Sequence, residues 1–566
     1  MVMRVAMAVM VWALASTSWA QEAPERLLPR GSQVYLRWDG VATHREAFKK
    51  TAVGKMLQGD MGRFFTGLGD YLEKLVDAFV AAENPQAADM LKELPRTLSA
   101  IGKHGFRLGI EVKNLSPPDI EGMLIFPKSG KTDGGILALV RKAAALAGAE
   151  VQETKKGKRT IHSIDTPVVK LVWWSEGDDA VIAVGTRSVD ELAKKTNKDC
   201  TSNPLYLHLK EFKEFSTWAD GFVDVAGLAK VAGAAGPDVA RLVDDLGLKG
   251  LKSITFHSGF DGPAEHSVLL FDMPGPRKGL LKLANQRKIN LADLPPMPAD
   301  LSYFAASNLD LVTLYDGVLV AVEGAVRLFA PEQANMVKQG LQAVEGAVGV
   351  KLRDDLLGSL GDLMVSYRSP ADGPLGLGAV YLIKMKNQKK FADSLDSLIK
   401  AAATVPFVEV STRKNAYRGA DIHGVYFGVG GASFHVFDYT MHKGWLGLSF
   451  YPQPLQGYVL RTAGDLPAWK PSAALARRLQ EFPKEFVGIS VSDPRPSLKL
   501  VLSLAPTLVS FLNSMTTFVA PGTQFDVNLI PNAHEATRHL FPNITVITDD
   551  GKRVRVETKS SLPLPF

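Results

Sequence analysis

The spacing of apolar side chains separates the chain into helical and extended stretches. Phe64, Phe65, Leu68, Leu72, Leu75, Val76 and Phe79 recur at the spacing of one helix face, and Phe48, Ala52 and Met56 mark a shorter helix before them. Residues 122–126 (GMLIF) read as a strand ahead of a helix over 136–146. Residues 378–382 (GAVYL) read as a strand ahead of a helix over 391–399. The stretch VKLVWWSEGDDAVIAVGT, 169–186, is two strands about a Glu176-Gly177-Asp178-Asp179 turn, and TFHSGFDGPAEHSVLLF, 255–271, is another hairpin. Strands joined by turns this short pair antiparallel, because a parallel partner needs a long crossover. The pattern predicts an α+β fold in which antiparallel sheets carry helices on one face.

The same signals then recur in the same order. Leu28-Pro29 and Val34-Tyr35-Leu36 open a strand, and Leu294-Pro295 and Leu301-Ser302-Tyr303 open another about 267 positions later. RTIHSID (159–165) is answered by RGADIHGV (418–425), which aligns Ile161-His162 with Ile422-His423. VKLVWW (169–174) aligns with SFHVFD (433–438), and DDAVIAVGT (178–186) with KGWLGLSFY (443–451). SITFHSGFDG (253–262) is matched by NITVITDDG (543–551). Each is followed by an alternating strand and a P-x-P, Pro274-Gly275-Pro276 and Pro563-Leu564-Pro565. The second copy carries about two dozen extra residues before its last hairpin. The expectation is two tandem related repeats, 21–276 and 292–566, each an antiparallel sheet with helices on one face, joined by a linker at 277–291.

The first twenty residues change the picture of location. Arg4, an apolar run from Val5 to Ala15, and Ser18 and Ala20 ahead of Gln21 have the form of a secretory signal peptide, too short to span a bilayer. The stretch from Val501 to Val519 comes nearest to a membrane span, but Pro506, Asn513 and several hydroxyl residues interrupt it, so no transmembrane segment is expected in the mature chain. The protein is expected to be exported, periplasmic or extracellular. Cys200 is the only cysteine, so stability has to come from a packed core. The chain of 566 residues is 46% hydrophobic and 22% charged, with a net charge of +6. That is a globular composition. So weak a charge over such a length, with one basic run at Lys155–Arg159 in a hairpin loop, argues against nucleic acid as a partner.

Candidate chemistry is sparse. His534-Glu535-Ala536-Thr537-Arg538-His539 resembles a zinc-protease helix, but the histidines stand at i and i+5, which turns the second ring about 140° away from the first. Lys128-Ser129-Gly130-Lys131-Thr132 lacks the earlier glycine of a phosphate loop, where Ile125 stands, and Pro127 removes an amide. There is no G-x-S-x-G elbow. Cys200 reads as an isolated thiol. In a strand, His162 points away from both Ser163 and Asp165, so no dyad forms within RTIHSID. Trp173 and Trp174 take opposite faces, which leaves one for the core and one for a helix, solvent or a groove. No catalytic, cofactor-binding or metal-ligating residue is assigned. A ligand or partner surface is expected around His162, Trp173, Trp174 and His423.

LPRGSQVYLRWDG followed by TAVGKML, and the tail HLFPNITV…SSLPLP, resemble secreted bacterial proteins of a domain-of-unknown-function family, over both ends of the chain. The resemblance implies no activity and no catalytic residues. The functional expectation is an exported, non-enzymatic protein binding an envelope protein, a peptide or an apolar ligand on or between its repeats, without a cofactor. The alternatives are a hydrolase whose site is assembled from distant residues, including His162 or His423, and a structural envelope component.

Overall fold

The structure is a computed structural model that describes residues 24–562 except 80–84, 131–134, 158, 167–168, 193–198, 334, 374–375, 404–408, 430–431 and 520–521. The expected signal peptide, 1–20, lies outside the described residues. Strands β1 (Val34–Trp38), β2 (Phe106–Leu115), β3 (Pro118–Phe126), β4 (Gln152–Lys156), β5 (Arg159–Asp165), β6 (Lys170–Glu176), β7 (Asp179–Gly185), β8 (Thr217–Asp224), β9 (Ser253–Asp261) and β10 (Ala264–Asp272) fall in the first half. The second half holds β11 (Tyr303–Asn308), β12 (Leu360–Arg368), β13 (Ala379–Met385), β14 (Glu409–Tyr417), β15 (Ala420–Val429), β16 (Ala432–His442), β17 (Trp445–Ser449), β18 (Gly488–Ser492), β19 (Asn543–Asp549) and β20 (Arg553–Ser560).

Among the described residues every strand pairing is antiparallel, and the 20 strands make one sheet. From one edge the order is β4-β5-β6-β7-β3-β2-β1-β8-β9-β10. From the other edge it is β14-β15-β16-β17-β13-β12-β11-β18-β19-β20, the same order with each number raised by ten. The halves meet where β10 pairs with β20, Val268 opposite Glu557. The predicted α+β class holds, but the halves share a single continuous sheet rather than owning one each.

Helices cover both faces of that sheet, not one. In the first half Ile125, Val172, Trp174 and Val181 pack with Cys200 and Leu209 on one side. On the other side Phe126, Trp173 and Ala180 pack under helix Ile136–Leu146 through Leu137 and Ala144. The second half repeats this, with Val380, Leu382 and Ile422 against Leu455 and Tyr458 of helix Pro452–Ala463. Opposite them, Ile383, Tyr439 and Leu446 lie against Phe391 of helix Gln388–Ala402. The physical cause is legible in the run VKLVWW. A strand wet on one side alternates polar with apolar, whereas an unbroken apolar run needs cover on both.

Each half also lends helices to the other. Met61 and Phe64 of helix Asp60–Phe79 pack on Leu498 and Leu502 of helix Pro494–Val519. In the reciprocal contact, Gly324 of helix Leu311–Phe329 admits Leu242 of helix Pro237–Asp245; an added Cβ there would stand 2.3 Å from Leu242 Cδ1. At the joint, the Arg277 guanidinium is buried and forks onto the Asp549 carboxylate at 2.5 and 2.8 Å, with Met273 O and Ala284 O accepting its other hydrogens.

Candidate functional site

The four residues expected to form a surface do not converge. His162 stacks on its cross-strand neighbour Trp173 (5.6 Å between ring centroids, 19°), and His423 stacks in the same way on Tyr439 (4.8 Å, 8°). The counterpart of Trp173 is therefore Tyr439, two residues beyond the Phe437 expected from the sequence. The β15–β16 hairpin is longer at its tip than β5–β6, which accounts for the slip. Burial lowers the affinity of the His423 ring for a proton. β5 and β15 are each second from opposite edges of the sheet, so the two histidines face no common pocket.

Trp173 and Trp174 do take opposite faces, but each is only 1% exposed, because both faces are covered. Trp174 Nε1 donates to Glu176 Oε2 at 3.1 Å, which satisfies its polar edge within the fold. Neither ring offers a surface to a ligand, and that expectation is corrected.

The other motifs resolve as structure. His534 and Glu535 lie in the short helix Ala533–Thr537, capped by Asn532. Cys200 is buried in a 3-10 turn, and burial pushes its thiol up to about 12, which makes it inert at neutral pH. In the loop after β3, Lys128 N donates to Asp179 Oδ1 and Gly130 N to Asp178 O, so these amides are spent on the β6–β7 turn and not on an anion. Lys131 and Thr132 lie outside the described residues. His442 Nε2 lies 2.9 Å from Thr462 Oγ1, but that hydroxyl already donates to Val459 O. Among the described residues, no group of three or more His, Cys, Asp or Glu is placed to hold a metal ion.

Two features stand out instead. The first is a cleft of about 390 Å³ at the seam, floored by Thr255, His257 and Leu270 from β9 and β10 and by Thr548 from β19. His257 is 3% exposed and lies flat on Phe212 (3.9 Å, 9°), and its Nδ1 has no hydrogen-bond partner. Burial depresses its pKa to about 4, so the ring is neutral at physiological pH. Arg555 forks onto Glu214 at 2.8 and 2.6 Å and holds that carboxyl below its usual range. Arg555 also donates to Glu557, which meets His266 Nε2 at 2.9 Å. The sequence could not join these groups, since Glu214 and Arg555 are 341 positions apart.

The second feature is helix Pro494–Val519, a single element of 26 residues or about 39 Å. The expected interruptions do not interrupt it. Pro506 sits inside the helix, and Asn513 bonds both the N–H and the carbonyl of Phe525, which pins the returning chain. The hydroxyls of Ser503, Ser514 and Thr516 donate to helix carbonyls three or four residues back. The segment Pro494–Thr516 is long and apolar enough to cross a bilayer, and only 6% of its apolar window is buried. In length and composition alone it meets what the sequence reading denied to this stretch. Leu498 and Leu502 are turned inward, while Val501, Leu504, Leu508, Phe511, Leu512 and Met515 form an open row at helical spacing, Phe511 63% exposed. Phe65 and Leu72 are exposed on helix Asp60–Phe79. On the other half, Val318, Val322 and Phe329 are open on helix Leu311–Phe329.

No family model and no curated protein matches the chain. Among solved structures, crystal form III of TP0453 is similar at 11% identity and a TM-score of 0.26, over 48% of this chain and 90% of that one. Crystal form I of TP0453 is similar at 10% identity and a TM-score of 0.23, over 48% and 89%.

Proposed function

We propose that the chain is an exported, non-enzymatic binding protein made of two related repeats, 21–276 and 292–566 joined at 277–291, which docks an apolar partner on the open row of helix Pro494–Val519. The duplication is supported by the identical strand order of the two halves, and by Ile161-His162 and Ile422-His423, where each isoleucine is buried and each histidine stacks on a cross-strand aromatic ring. The binding reading rests on one observation, the uncharged apolar row. Residues 500–525 contain no Asp, Glu, Lys or Arg. Contiguous apolar surface of this kind is rare on a protein that works alone.

The test is direct. Leu508→Ser with Phe511→Ser should leave the unfolding midpoint in place and remove most binding of a hydrophobic dye such as bis-ANS. Loss of the fold in the double variant would mean that the row is core, and unchanged dye binding would mean that the row is not the surface. Export is checked by the N-terminus of the protein recovered from outside the cytoplasm, which should be Gln21.

A further inference from the structure

We infer that the partner of this row is the acyl layer of a lipid bilayer, in whose interface helix Pro494–Val519 lies flat; the inference rests on the docking role proposed above. Three observations favour lipid over a protein surface. First, the helix has the length and composition of a bilayer-crossing segment, yet one side is held to the protein through Leu498 and Leu502. A helix anchored along one side enters a membrane edge-on, with its free row a few ångströms below the headgroups. Second, several of the polar side chains along the helix are satisfied within the protein: the Ser503, Ser514 and Thr516 hydroxyls donate to the helix's own carbonyls and Asn513 holds Phe525, which lowers the cost of an acyl environment.

The third observation is charge. The first turns carry Arg495, paired with Asp493 at 2.6 Å, and the exposed Lys499; no acidic residue follows until Asp526. A lysine at that end reaches headgroup level while its stem stays with the apolar layer. The first half has no equivalent, because its shorter connection after β8 is packed under helix Leu311–Phe329.

The experiment is flotation of the chain from Gln21 onward with vesicles of phosphatidylcholine alone and of phosphatidylcholine mixed with phosphatidylglycerol. The wild type should float with both, and more completely with the anionic mixture. Leu508→Glu with Phe511→Glu should lower the partition at least tenfold. Leu508→Ser, milder at an exposed site, should lower it by a smaller factor with an unchanged melting curve. A wild type that stays with the lipid-free fraction, or a double variant that floats as well as the wild type, overturns the lipid inference. Sedimentation velocity then separates the two claims. If the wild type self-associates and the double variant does not, the row docks a second copy and only lipid is wrong. If the two behave alike in both assays, the docking role fails as well.

Discussion

Residues 225–252, between β8 and β9, and residues 493–542, between β18 and β19, hold the same place in the two halves, and they do opposite things with their apolar side chains. The first connection forms helices Val225–Ala234 and Pro237–Asp245, and its Leu242 is seated against Gly324 of the other half. The second, 22 residues longer, forms a 26-residue helix that turns Leu498 and Leu502 inward and leaves six large apolar side chains open. One architecture supplies both, so the sheet does not determine the exposure. The inserted helix does. On the duplication and docking role proposed above, one connection is kept as packing and the other is released for contact with a partner.

The largest effect expected is at the joint that holds the two connections in their places. Arg277→Met would leave the largely buried Asp549 carboxylate with only the Gly551 N–H as a partner, at a cost of up to about 3–5 kcal/mol. Urea unfolding followed by circular dichroism should show an earlier midpoint, and a shift near zero would mean that the fork contributes nothing. Next is the seam. His257 is held neutral with a pKa of about 4, against 6.5 when free. Its contribution to stability is complete above pH 6.5 and is lost as the pH falls toward 4, by up to about 3 kcal/mol. His257→Phe should flatten the dependence of the melting temperature on pH in that window, and an unchanged slope would remove His257 from the account.

Smaller effects address the connections themselves. Gly324→Val should crowd Leu242 and cost about 1–2 kcal/mol, seen as a lower melting temperature. Leu508→Ser should change stability by less than about 0.5 kcal/mol. The ratio of these two costs measures how differently the halves use their apolar residues.

Much of this was legible from periodicity. The hairpins about Gly177 and Gly262 follow from the sequence because turn glycines at positive φ separate short strands. The helix from 60 to 79 follows from its 3.6-residue repeat. The one-face expectation failed on VKLVWW, whose unbroken apolar run already required two covers. The helix through Pro506 was missed because serine and threonine counted as breaks, although in a helix they bond back to its carbonyls. The seam cleft was out of reach, since SITFHSGFDG shows a histidine in a strand but not the Phe212 beneath it or the Arg555 brought in from the far end of the chain.

The open row should meet lipid while its counterpart in the first half does not. A single environment-sensitive fluorophore, nitrobenzoxadiazole, can be placed by Leu508→Cys on the long helix or by Asp238→Cys on the short connection. The native Cys200 is buried, with its thiol pushed up to about 12, and will not compete for the label. On addition of phosphatidylcholine–phosphatidylglycerol vesicles, the label at 508 should brighten and shift to the blue while the label at 238 stays unchanged. Equal spectra at the two positions, with and without vesicles, would contradict the account.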